Sequence, residues 1–205
     1  MRVLGLDIST KTGYAVLVDG VLTSYGLLTS PMVNDPSLAS DFALLQRARH
    51  MRNLISNLIL SEVPDMIVIE QTNQGSFRTD QKQLEFIHCL TLEYIRSTPW
   101  AAKTQYVDTS RWRSRLEIKL SKDQRKHNKA VKSKLARGKV TPKHLAVAWA
   151  NEKYNLDLLK KDHDIADGIC LATYGWNEEN RKAALPPGCN ITVEEALASL
   201  PKSMV

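Results

Sequence analysis

The chain has 205 residues, 43% of them apolar and 24% charged, enough to bury one substantial core with room for a small appendage. From Met1 it runs straight into a short apolar stretch that meets Asp7, and nowhere does it carry ~18 consecutive apolar residues. A soluble, cytoplasmic protein is therefore expected, with no signal peptide, no transmembrane segment and no membrane partner. The formal net charge of +6 is unevenly spread: residues 111–143 hold thirteen Lys or Arg against Glu117 and Asp123, a net of +11, while the remainder nets −5.

Val3 to Ile8 is apolar, Ser9 to Gly13 small and polar, and Tyr14 to Val18 apolar again, which predicts two strands joined by a tight loop. Asp19-Gly20 then stands between Val18 and Val21, a strong hairpin signal, because both turn positions favour positive φ. The chain thus opens with a three-stranded meander. From Leu38 to Leu60 the apolar residues Leu38, Phe42, Leu45, Ala48, Met51, Ile55 and Leu58 recur every three or four positions, predicting a long helix laid on the sheet. Met66 to Ile69 reads as a strand covered on both faces and ends at Glu70. A second helix is expected over Asp80 to Ser97, then a strand at Thr104 to Val107 and a short helical piece from Thr109.

The basic segment follows. Its single sign suits a polyanion partner such as nucleic acid, whose counterions are released on contact; a solvated or disordered loop is the other reading. Thr141-Pro142 opens a helix, and a last core helix should start near Asp162 or His163 and run to about Asn180. After Leu185-Pro186-Pro187-Gly188, Thr192-Val193-Glu194-Glu195 has a capping-box pattern. The expected division is a domain over residues 1–180, including the arm at about 111–143, and a tail over 181–205. Cys89, Cys170 and Cys189 are few and widely spaced, and they suit reduced packing residues.

Four carboxylates stand out. Val3, Gly5 and Asp7 share one side of a strand, so Asp7 lies in mid-sheet, where an unpaired charge is costly and a cation would relieve it. Glu70 repeats the situation at the carboxyl end of its strand, the edge where ligand sites of α/β sheets collect. Asp164 and Asp167 fall on one face of the last helix, one turn apart. Taken singly, Asp7 also suits a turn cap, and an acidic pair near a helix start also suits the helix dipole. If the helix crosses the sheet beside the first and fourth strands, the four converge as hard oxygen ligands for two magnesium ions, with manganese able to substitute. Such a pair suits in-line phosphodiester hydrolysis.

Gly5-Leu6-Asp7-Ile8-Ser9-Thr10, with Gly13-Tyr14-Ala15, then Ile67-Val68-Ile69-Glu70-Gln71 and His163-Asp164-Ile165-Ala166-Asp167-Gly168, resemble the three acidic motifs of RuvC-type Holliday-junction resolvases, in order and approximate spacing. The resemblance implies an RNase H-like fold of the retroviral-integrase superfamily: a mixed five-stranded sheet, antiparallel meander then parallel strands, flanked by helices. It further implies a homodimer, two magnesium ions per subunit, and paired nicks across a four-way DNA junction in recombination and repair. Helix Asp80 to Ser97 is the expected dimer surface. A lysine before the last acidic helix lies near the scissile phosphate in that family, and Lys143 is the candidate here, with Lys132 or Lys134 as alternatives. Phe77, followed by Arg78, falls where those enzymes stack an aromatic on a junction base, although core packing also accounts for it. Trp112, between Arg111 and Arg113, combines a stacking face with phosphate-binding cations, or anchors the arm; Arg115 and Lys119 are further phosphate contacts. His163 suits either a helix cap or a hydrogen bond to metal-bound water. Other readings are a nuclease for flap or otherwise branched DNA, and a DNA-binding module without catalysis. The motif around Asp7 also occurs in sugar-kinase and actin-like ATPases, but those need a second phosphate loop that this chain lacks, so no nucleotide cofactor is expected.

Overall fold

A computed structural model describes residues 1–31, 40–72, 78–133 and 138–184. Strands β1 (Arg2–Asp7), β2 (Lys11–Val18) and β3 (Val21–Thr29) form the antiparallel meander. Its second turn takes the left-handed conformation at both Asp19 (φ 50°) and Gly20 (φ 83°), as a two-residue hairpin of this twist requires. Helix α1 (Ser40–Glu62) returns the chain so that β4 (Met66–Glu70) pairs parallel with β1. Helix α2 (Arg78–Arg96) and a 3-10 turn (Pro99–Lys103) lead to β5 (Thr104–Val107), parallel to β4. The sheet order is β3-β2-β1-β4-β5.

Period-two alternation divides the core between the two faces of this sheet. Leu4, Leu6, Val16, Ile67 and Ile69 meet Ala48, Met51, Ile55 and Ile59 of α1 and Ile87 of α2. Val3, Ala15, Leu17 and Val68 point the other way, onto the helices that follow: α3 (Thr109–Arg115), α5 (Pro142–Tyr154) and above all α6 (His163–Ala183). Burial on both faces explains the unbroken apolar runs of β1 and β4, where each fully buried aliphatic side chain contributes roughly 1.5–3 kcal/mol.

Helix α5 begins as its sequence implies, with the Thr141 hydroxyl accepting from the His144 N–H and Pro142 in the first turn. It ends at Asn155 in the left-handed conformation (φ 51°). Two expectations need correction. Phe42 is 64% exposed, because the buried stripe of α1 begins further along, at Ala48. Cys89 is exposed on α2, and only Cys170 packs in the core. The basic segment contains a helix, α4 (Lys122–Lys132), begun by a reciprocal capping box between Ser121 and Gln124. Leu38, Cys189 and the Thr192–Glu195 motif lie outside the described residues. No helix among the described residues is long and apolar enough to cross a membrane.

Candidate functional site

Parallel pairing of β1 with β4 ends at Leu6 opposite Ile69, so the next residue of each strand, Asp7 and Glu70, stands at the same edge of the sheet. Alternation turns both toward the α6 face. Helix α6 comes down on that edge because glycines allow it. A Cβ on Gly13 would collide with the Asp164 carbonyl, and one on Gly5 with the carbonyl of Gly168. The first turns of α6 therefore rest on bare backbone of β1 and β2, which delivers Asp164 and Asp167 to Asp7 and Glu70.

The electrostatics register this convergence. Asp7 is half-buried, and its carboxyl is pushed well above the usual aspartate range, first by desolvation and then by Asp167, Glu70 and Asp164, while Lys143 opposes the shift. Asp167 is 2% exposed and is pushed up to about 7 by burial, against the pull of Arg113. A cavity of about 240 Å³ opens over the cluster, lined by Asp7, Glu70, Lys143 and Asp164 with His88. The four side chains are not drawn into a tight ligand group: among the described residues no three His, Cys, Asp or Glu are gathered closely enough to hold a metal ion as they stand.

Cations and hydrogen-bond donors separate them instead. Arg113 Nη2 lies 3.5 Å from Asp167 Oδ2, and Lys143 Nζ lies 3.4 Å from Asp164 Oδ1. His163 Nδ1 is 2.7 Å from that same Asp164 oxygen and 3.2 Å from Lys143 Nζ. One ring nitrogen cannot both donate to the carboxylate and accept from the ammonium, so a proton on Nδ1 commits His163 to Asp164 and leaves Lys143 its own contact there. Glu70 is held at both oxygens, by the Thr109 hydroxyl at 2.6 Å and the Trp112 indole N–H at 3.0 Å. Within this cluster the buried Asp167 Oδ1 and Arg113 Nε have no hydrogen-bond partner.

The structure thus brings Asp7, Glu70, Asp164, Asp167 and Lys143 together, with His163 beside them. Of the two roles open to Trp112, the structure fits anchoring and not stacking. Its ring is wholly buried, covered on one side by the Arg113 guanidinium 4.8 Å from the ring centre, and has no face to offer a base; it anchors α3 and donates to Glu70. Arg113 turns inward with it, while Arg111 and Arg115 remain exposed and Arg115 reaches Glu178. Lys119 and Lys132 are exposed, and among the described residues neither forms an ion pair with the carboxylates. Phe77, Lys134 and the side chain of Arg78 lie outside the described residues.

Sequence reasoning missed three contributors. Thr109 was legible only as the start of a helical piece. His88 and Tyr106 carried no signal, since a histidine inside an amphipathic helix and a tyrosine in a short strand are ordinary. In the structure the Thr72 N–H donates to the Tyr106 oxygen at 3.4 Å, and the Tyr106 hydroxyl donates to His88 Nδ1 at 3.0 Å. His88 Nε2–H then donates to the Ile8 carbonyl at 3.1 Å. This chain ties the backbone just past Asp7 to that just past Glu70, beyond the last rung of the ladder. Burial pushes the His88 imidazole down to about 4, so it is neutral at ordinary pH, as both of its bonds require.

A mixed five-stranded sheet flanked by helices, with acidic residues at the ends of its two central parallel strands and on the helix crossing them, defines an RNase H-like fold. Solved structures agree. The chain is similar to RuvC of T. thermophilus in complex with a Holliday junction substrate, with TM-score 0.58 and 10% identity over 88% of this chain and 96% of that one. It is likewise similar to a Thermus thermophilus RuvC structure, with TM-score 0.56 and 12% identity over 88% and 97%. No protein-family model and no curated protein matches the sequence.

Proposed function

We propose that the chain is a metal-dependent DNA endonuclease that cuts four-way junctions. The observation that carries this reading is the convergence of Asp7, Glu70, Asp164 and Asp167, where burial first and mutual repulsion second raise the Asp7 carboxyl. The donor set fits a hard divalent cation: four carboxylates, one of them with a buried oxygen that has no partner. Magnesium, or manganese in its place, would supply activation of a water and stabilisation of the leaving oxygen.

The chain's own residues do the rest. Thr109 and Trp112 fix both oxygens of Glu70, so this carboxylate presents one orientation to the cavity. Arg113 and Lys143 flank the cluster with positive charge that suits a phosphate. Both cations rest on carboxylates, and release from Asp164 and Asp167 would turn them toward an anionic substrate. The resemblance of the acidic motifs to RuvC-type resolvases, together with the shared fold, supports a junction as the branched substrate. A junction has two scissile strands related by symmetry, so a homodimer is part of the proposal.

The test is cleavage of a synthetic four-way junction with magnesium by the parent chain and by Asp7→Asn. Binding without cutting in the variant is expected. Equal cutting of a linear duplex by the parent would reduce the reading to a general nuclease, and absence of any metal-dependent cutting would remove it.

A further inference from the structure

Near the carboxylates the cations are paired, but on helix α4 they are not. Helix α4 places Lys122, Arg125, Lys126, Lys129 and Lys132 within about 120° of its circumference, given 3.6 residues per turn. All five are exposed, whereas Gln124, His127, Asn128, Ala130 and Val131 on the other side are partly covered. None of the five forms a salt bridge among the described residues. The helix is braced from behind. Asn128 donates to the Val140 carbonyl at 2.7 Å and accepts from the Val140 N–H at 2.9 Å, and His127 Nε2 meets the Gly138 carbonyl at 3.0 Å. These bonds clasp α4 to the returning chain and hold the basic face outward as one surface.

We propose that this stripe is a duplex-DNA backbone clamp, separate from the catalytic cluster, that grips a helical arm of the substrate without reading its sequence. Five cations along roughly 15 Å of helix face a polymer carrying one negative charge per about 1.7 Å of axis. The stripe takes duplex rather than single strands. No Phe, Tyr or Trp occurs from residue 114 to residue 148, so α4 and the chain on either side of it have no such ring on which unpaired bases could stack. It does not take part in the chemistry, since its charges lie on α4, whereas the cations that act on the carboxylates are Arg113 and Lys143. The proposal rests on the DNA-binding part of the function proposed above and deepens it.

The experiment measures binding of a linear duplex by fluorescence anisotropy over a series of salt concentrations, in chelator, with the full-length chain. Lys122, Arg125, Lys126, Lys129 and Lys132 are changed together to Gln, which keeps helix propensity. The slope of log K against log salt should become shallower by about 0.9 for each cation that had met a phosphate, and so by up to about 4 to 5. A second variant with Arg at all five positions should keep the parental slope, and one neutralising the exposed Lys103, Lys153, Lys160 and Lys161 should change it little. An unchanged slope in the Gln variant, or an equal drop in the control variant, overturns the clamp while leaving the catalytic reading intact. A parent chain that binds no duplex overturns the clamp as well, whereas loss of junction cutting alone bears only on the catalytic reading.

Discussion

Replacing Asp167 by Asn removes a charge from a place where burial already disfavours it. The carboxyl titrates at about 7 in the folded chain against 3.8 for an ordinary aspartate, so in that window the folded state holds more protons than the unfolded one. Stability contributed by this group is therefore present at low pH and lost as pH rises through the window. At about 1.4 kcal/mol per pH unit, the whole interval amounts to on the order of 4 kcal/mol. With only 3% of the side chain exposed, solvent screens little of it. Asn also gives up the contact with Arg113, which offsets part of the gain. We expect Asp167→Asn to be more stable than the parent by about 1–3 kcal/mol at about pH 8, in chelator, and nearly equal to it at about pH 4. For a chain of this size that is a rise of several degrees, at about 2–4 °C per kcal/mol. Thermal unfolding followed by circular dichroism at both pH values reads it directly. The same variant should show a smaller manganese-dependent rise in melting temperature than the parent. A variant less stable than the parent at about pH 8, with the parental pH dependence intact, would refute the argument that the cluster is held under electrostatic strain.

His88 gives a pH dependence of opposite sign. Its folded value of about 4 lies below the ordinary 6.5, so its contribution is complete above 6.5 and is lost as pH falls toward 4, on the order of 3 kcal/mol in all. His88→Gln should flatten the acid limb of the stability curve, and an unchanged limb would count against a neutral His88 clasp. Trp112→Phe keeps most of a buried ring and removes the N–H on Glu70. Manganese affinity, measured by calorimetry, should fall about 10- to 100-fold, and an unaltered affinity would mean that Glu70 needs no orientation from α3. Gly13→Ala should shift α6 off the sheet, because its methyl would meet the Asp164 carbonyl. Loss of several degrees of melting temperature is the expected outcome, and a fully stable variant would show that the close approach is dispensable.

The meander, the central strands and the acidic positions were legible because each leaves a local mark: a two-residue turn, an unbroken apolar run, a charge where the pleat turns inward. Gly13 was legible as a motif residue, but its reason, the backbone of α6 lying against it, is a long-range contact that no local pattern encodes. The sequence left Trp112 open between stacking and anchoring, because flanking arginines suggest exposure, whereas the helix turns Arg113 inward with the ring and Arg111 outward. Helix α4 had its start written in Ser121 and Gln124, yet the density of like charge resembled a solvated loop. The His88–Tyr106 connection joins residues 18 apart on two elements, and only the folded packing puts their polar atoms within reach.

The close seating of α6 on β1 and β2 also bears on the order of events during synthesis. Asp7 is made before Glu70, which joins it once β4 has paired, but Asp164 and Asp167 belong to the last described helix, so each of these joins costs a long loop closure. A nascent chain that already has its whole sheet still has only half of its carboxylates. Arrival of α6 both covers the apolar face of β1 and β4 and supplies the missing acids, so maturation of the site coincides with closure of the core, and no earlier species has both.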